Sequence, residues 1–327
     1  MATRAKQTAA KSMMEISEPF KRLIPDRSGE SLEEQIFPWN VEGMKKNLNQ
    51  PTELHKADPT TVTNILQMAA VELQHWAAYN ASAKYVTDKT MKDMFISLAR
   101  AEEIHHLKLL SLLPKMHDAS EMVLTSEVAL LSMYSDCIDN ESDPAVSEAF
   151  FYVFNDHLTH AEYAAGIVQK MGCDPGTFTS GADISGGRPL NHQFMKPEDT
   201  VWHGKYDGAY DKNRVDPMTL INVDMANAAE LAAWEGYSCA MKNTDDQAIR
   251  LHYGTFRSIE GQHVAIIDSL KDPTETPLER SLVHEAVEIS NYGRKMKYEP
   301  DENVRKVFQE LYEEDMEQAR LLGQWAK

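Results

Sequence analysis

The chain has 327 residues, 42% hydrophobic and 26% charged, an ordinary composition for a globular fold and enough length for one large core or two modest ones. Its formal net charge of −18 disfavours nucleic acid and anionic membrane as partners, and no apolar run reaches the length of a membrane span. The basic N-terminal stretch lacks the apolar core of a secretion signal. Cys137, Cys173 and Cys239 form no C-x-x-C pair, so a disulfide framework, a zinc ribbon and a rubredoxin-type iron site are unsupported, and the cytoplasm is the expected compartment.

Residues 1–57 are polar and interrupted by Pro19, Pro25, Gly29, Pro38, Gly43 and Pro51, which predicts an irregular arm. At Asp58-Pro59 the pattern turns helical, with an N-cap residue followed by a proline that the first helical position tolerates. Helices are predicted over 59–86, 90–113, 119–138 and 144–171, with Pro114 and the turn at Asn140–Pro144 as punctuation. Residues 172–215 show no period and predict a long irregular connection; its Trp202, His203, Tyr206 and Tyr210 suit a lid, a dimer contact or disorder.

At Asp216-Pro217 the pattern restarts. Residues 58–112 aligned without a gap on 216–270 share 15 identical positions, among them Glu72/Glu230, Trp76/Trp234, Tyr79/Tyr237, Glu102/Glu260 and His105/His263. The same offset of 158 residues pairs Glu127 with Glu285, Tyr134 with Tyr292, Asp143 with Asp301 and Phe150 with Phe308. This predicts an all-α protein built by internal duplication: four helices in 58–171, the connection 172–215, and four helices in 216–327.

Four Glu-x-x-His matches occur, and two are set aside. Glu72-x-x-His75 meets Ala233 in the second copy, and Glu103-x-x-His106 meets Gly261 and Val264. Glu102/His105 and Glu260/His263 survive the offset. They fall in the middle of two inward seams, Met91, Phe95, Leu98, Glu102, His105, Leu109 in one copy and Ile249, Tyr253, Phe256, Glu260, His263, Ile267 in the other. Carboxylate and imidazole deep in an apolar seam are costly without a partner, and a pair of divalent cations removes that cost. Residues i and i+3 share a helix face, so each Glu-x-x-His can reach one ion, and a hairpin brings Glu72 level with Glu102 and Glu230 level with Glu260.

One Glu from each of two helices plus one Glu-x-x-His from each of two others resembles the ferritin-like di-iron and di-manganese carboxylate superfamily, rubrerythrin-like and oxygenase members included, over roughly 58–113 and 216–271. The resemblance implies a four-helix bundle with flanking helices, Glu102 and Glu260 bridging the metals, Glu72 and Glu230 as terminal carboxylates, and His105 and His263 on one metal each. About 100 residues separate the two hairpins, more than the single crossover usual in this superfamily. The expected core therefore joins the first two helices of each copy around one shared site. The rival arrangement is two separate bundles, one using Glu127, His157 and His160 and the other Glu285, Asp315 and Gln318.

Around that site, Trp76, Tyr79, Trp234 and Tyr237 follow the lone glutamates by four and seven residues and are candidates for a substrate pocket or radical transfer, as well as for plain core. His157, His160, Glu127 and Glu285 are candidates for the supporting shell. The resemblance implies two iron ions, with Mn/Mn or Mn/Fe as alternatives, and O2 or peroxide as reactant. It leaves room for an external electron donor and a homodimer. The expected function is an oxidoreductase that activates O2 to oxidise a small organic substrate; the alternatives are manganese catalase or peroxidase chemistry, and non-catalytic iron binding or sensing.

Overall fold

The computed structural model describes residues 16–24, 57–114, 118–179 and 209–325. Among them are ten helices and no strand. Two are single turns, α1 (Glu18–Lys21) and α6 (Gly176–Thr179). The long ones are α2 (Pro59–Tyr85), α3 (Lys89–Leu110), α4 (Ala119–Asn140), α5 (Pro144–Lys170), α7 (Pro217–Lys242), α8 (Gln247–Ser269), α9 (Pro277–Tyr298) and α10 (Glu302–Trp325). The four helices predicted in the first copy match α2 to α5 within a few residues at each end. Most of the arm 1–57 and of the connection 172–215, including Trp202, His203 and Tyr206, lies outside the described residues. No described helix is long and apolar enough to cross a membrane.

The helix starts are fixed by local chemistry. Asp58, Asp88, Asp118, Asp143, Asp216 and Asp246 each accept a hydrogen bond from a first-turn N–H, and Asp301 does the same for Asn303 and Val304. Helix α9 starts instead with a capping box between Thr276 and Glu279. Such a cap contributes about 1 kcal/mol.

The eight long helices form four hairpins, α2–α3, α4–α5, α7–α8 and α9–α10. Helices α2, α4, α7 and α9 touch one another in the middle, and each carries its hairpin partner on the outside. Burial follows this division. In α7 all but one of the residues from Thr219 to Glu230 are buried, whereas α8 buries only the stripe Tyr253, Phe256, Glu260, His263 and Ile267.

The expected core of α2, α3, α7 and α8 around one site is not formed, and neither is the arrangement in which each copy closes on itself. The hairpin α2–α3 shares a polar interior with α9–α10, and α4–α5 shares one with α7–α8. Tyrosines tie these partners together. Tyr134 donates to Glu230 at 2.5 Å and Tyr292 to Glu72 at 2.6 Å; Tyr237 donates to Glu127 at 2.5 Å and Tyr79 to Glu285. The offset of 158 residues relates Tyr134–Glu230 to Tyr292–Glu72 and Tyr79–Glu285 to Tyr237–Glu127. At the helix ends Glu141 accepts from Thr219 and Asn222, and Glu299 accepts from Thr61 and Asn64. The segments 58–171 and 216–327 carry the same donors and acceptors at these positions, so residue identity could not distinguish pairing within a segment from pairing between segments.

Glu299 is 2% exposed and satisfies two buried donors. Glu299→Ala is expected to lower unfolding stability by about 1–3 kcal/mol, the cost of leaving such groups unpaired. Urea denaturation checks this, and an unchanged midpoint would contradict the pairing.

Candidate metal centre

The structure separates the two predicted triads. Glu230, Glu260 and His263 meet Glu127, His157 and His160, giving three carboxylates and three imidazoles, while Glu72, Glu102 and His105 meet Asp315, Glu285 and Glu288. The twelve side chains are at most 2% exposed. Each cluster draws on four helices: α4, α5, α7 and α8 for the three-histidine cluster, α2, α3, α9 and α10 for the carboxylate-rich one.

In the three-histidine cluster His157 lies between Glu127 and Glu230, with Nδ1 2.9 Å from one and Nε2 3.0 Å from the other. His263 Nδ1 sits 3.1 Å from Glu230 and 3.0 Å from Glu260, and its Nε2 is 2.9 Å from Asp156. His160 Nδ1 and Glu260 Oε1 are 2.8 Å apart, yet neither has a hydrogen-bond partner among the described residues. Two groups of donor atoms, each close enough for one ion, overlap at His157 and Glu260. Burial disfavours charge on His157 and His263, but the surrounding carboxylates outweigh it and hold both imidazoles well above their ordinary range. Burial likewise opposes ionisation of Glu260, and the charges of His157 and His160 reverse that and hold it well below.

The carboxylate-rich cluster repeats the plan with other donors. His105 Nε2 lies 2.8 Å from Glu314, as His263 does from Asp156, 158 residues earlier than Glu314. Its Nδ1 faces inward, 3.4 Å from Glu72, 3.4 Å from Glu102 and 3.5 Å from Asp315, with no hydrogen bond. The donor groups here overlap at Glu102. Burial, reinforced by neighbouring carboxylates, pushes Glu102, Glu288 and Asp315 well up, and burial raises Glu285 to about 8. Burial pushes the same way on Glu72, but the charge of His105 brings it down to about 2.

Buried polar atoms without a partner test whether these residues suit metal. Thirteen such side-chain atoms occur among the described residues, and all but Gln74 Oε1 belong to these two clusters, counting Gln318 on α10 with the second. Native folds rarely leave such atoms unpaired, and convergent unpaired oxygens and nitrogens are what a cation would satisfy.

The supporting-shell candidates Glu127, His157, His160 and Glu285 therefore stand inside the clusters themselves. Of the aromatic candidates, Tyr79 and Tyr237 point inward, each donating to a cluster carboxylate. Trp76 is 36% exposed and lines an outer groove with Ile96, Ala99, Arg100 and Glu103, while Trp234 lies under Arg257 at 4.0 Å. A helix turns about 100° per residue, so Trp76 falls about 40° to one side of Glu72, while Tyr79 and His75 fall about 20° and 60° to the other, where the interior lies. Of the matches set aside, Glu103 is exposed and His106 bonds the Ala69 carbonyl at 2.7 Å. His75 is buried in a hydrogen-bonded network with Asp224, His284 and Glu288. Sequence reasoning missed Glu288, Asp224 and His284, whose positions in the other copy hold Leu130, Leu66 and Ser126. It also passed over Asp156 and Glu314, which the offset does pair. No family model matches the chain, and no curated protein or solved structure matches it.

These shifts set the pH response of the metal-free protein. A group whose pKa is higher folded than unfolded stabilises the fold below its unfolded pKa and loses that contribution as pH rises through the folded value. For Glu285 the window runs from 4.5 to about 8, and Glu102, Glu288, Asp315, His105, His157 and His263 act in the same direction. Glu72 and Glu260 act oppositely, their contribution being lost as pH falls below 4.5. Chelator-treated protein is expected to lose Tm as pH rises from 4.5 to about 8. Divalent metal should remove most of the loss, as scanning calorimetry would show; a flat profile without metal would contradict this account.

Proposed function

We propose that this protein is a ferritin-like oxidoreductase that activates O2 at a di-iron centre to oxidise a small organic substrate, and that the centre is the three-histidine cluster. The observation that carries this reading is the overlap of two buried donor groups at Glu260 and His157, because a dinuclear centre needs residues common to both ions. Three carboxylates offset most of the charge of two divalent ions, and three imidazoles suit iron. An iron pair would supply one-electron redox steps and open positions for O2. In this reading, 58–171 and 216–327 are duplicated copies that exchange hairpins to make two bundles.

The chain's own residues prepare the centre. Tyr237 holds Glu127, and Tyr134 holds Glu230, each through one carboxylate oxygen, which fixes the rotamer. Asp156 takes His263 Nε2, so Nδ1 is the atom left for an ion. Glu260 has the central position, and His160 faces it with an unpartnered ring nitrogen. Burial of all six side chains excludes bulk water, which suits reactive oxygen chemistry. Electrons come from a separate reductase or from the substrate itself.

Glu260→Ala is expected to lose both ions of this centre and His160→Ala one, with helical content retained. Elemental analysis and O2 uptake after Fe(II) addition check this. Wild-type iron in Glu260→Ala would sink the assignment. Peroxide disproportionation by manganese-loaded protein, without O2 uptake by the iron form, would replace the reading with a catalase; inertness in both assays would leave iron binding or sensing.

A further inference from the structure

The second cluster is built for a different ion. At the positions of His157 and His160 in the first cluster, the second has Asp315 and Gln318, and at the position of Leu130 it has Glu288. Two imidazoles are thus exchanged for oxygen donors and a further carboxylate is added. Decay of a redundant site would leave apolar or mutually bonded replacements. Here the replacements are 0% exposed and unpartnered: both oxygens of Asp315 and both amide atoms of Gln318 lack a hydrogen-bond partner among the described residues.

The orientation of the carboxylates is equally specific. Glu72, Glu285 and Glu288 each have one oxygen held from outside, by Tyr292, Tyr79 and His75 respectively, and the other oxygen unpartnered. Glu102 and Asp315 have both oxygens unpartnered. Seven carboxylate oxygens and the Nδ1 of His105 are therefore left for ligation in one buried space. The support behind Glu288 belongs to this cluster alone. His75 Nδ1 is 2.5 Å from Glu288 while its Nε2 is 2.9 Å from Asp224, which also takes His284 at 3.0 Å and Gln74 at 2.9 Å. In the other copy these positions are Ala233, Leu66, Ser126 and Ala232.

We infer that Glu72, Glu102, His105, Glu285, Glu288 and Asp315 form a second dinuclear centre, selective for hard, oxygen-preferring divalent cations of the manganese class. Oxygen donors favour such ions, and imidazoles favour iron and its later neighbours. Five carboxylates in one buried space repel one another when ionised, and divalent ions between them remove that repulsion. The chain then holds two centres of different metal preference, each drawing helices from both 58–171 and 216–327. The inference takes from the proposed function only the contrast with the three-histidine cluster.

The test uses full-length variants that each cripple one centre, Glu102→Ala and Glu260→Ala, equilibrated anaerobically with equal Mn(II) and Fe(II), desalted, and read by elemental analysis and Mn(II) electron paramagnetic resonance. Glu260→Ala is expected to keep manganese with the coupled spectrum of a pair, and Glu102→Ala to lose it. His75→Ala is expected to weaken manganese binding about 10–100-fold, the usual effect of removing a ligand's supporting hydrogen bond, while iron at the three-histidine cluster stays. Gln318→His, which restores an imidazole without removing a carboxylate, should shift the retained metal toward iron. Undiminished manganese in Glu102→Ala, or the same metal ratio in both alanine variants, overturns the inference. Manganese retained by Glu260→Ala stands as support even if the three-histidine cluster proves inert toward O2, so failure of the proposed oxidoreductase is read separately.

Discussion

Four buried tyrosine hydroxyls, each donating to a buried glutamate across the join between hairpins, brace the arrangement of this molecule. Tyr134 with Glu230 and Tyr237 with Glu127 link α4 and α7, while Tyr292 with Glu72 and Tyr79 with Glu285 link α9 and α2. A hydrogen bond to a charged group contributes about 1.5–3 kcal/mol, and losing one partner in the interior costs more than the bond itself is worth. The tyrosines thus do two things at once. They tie together the hairpins that face each other, and they hold one oxygen of each carboxylate so that the other points into the cluster.

That geometry concentrates charge where a protein interior tolerates it least. Three carboxylates with three imidazoles, and five carboxylates with one, occupy regions almost free of solvent. Without metal the two clusters solve the problem differently. In the first, His157 bridges Glu127 and Glu230, and the surrounding carboxylates shift its imidazole upward. In the second there is one imidazole for five carboxyls, burial and mutual repulsion shift Glu102 and Asp315 upward, and the oxygens of both remain without partners. A cation bound in either cluster would satisfy the same atoms.

At an offset of 158 residues the two clusters share Glu72/Glu230, Glu102/Glu260, His105/His263 and Glu127/Glu285 and differ at three positions. The caps, the tyrosine bonds and the glutamates at the ends of α4 and α9 keep their offset of 158 residues, whereas His157 and His160 answer to Asp315 and Gln318. The framework needs only the matched hydrogen bonds and apolar stripes, and it accepts different donors at its centre. The buried network around His75 and Asp224 lies where α2, α7 and α9 meet and has no counterpart in the other half.

The sequence by itself determined the eight long helices, because aspartate caps, prolines and a period near 3.6 act within a few residues of one another. It also determined that Glu72, Glu102, His105, Glu230, Glu260 and His263 lie on buried faces, because polar residues in the middle of an apolar seam have nowhere else to point. Only the tertiary structure decided which faces meet. Tyr134 finds a glutamate followed by Leu and, four residues on, Trp whether it bonds Glu72 or Glu230, so the motif itself does not separate the two pairings. The choice rests on long-range packing among α2, α4, α7 and α9, and it turns one expected six-ligand site into two unlike clusters.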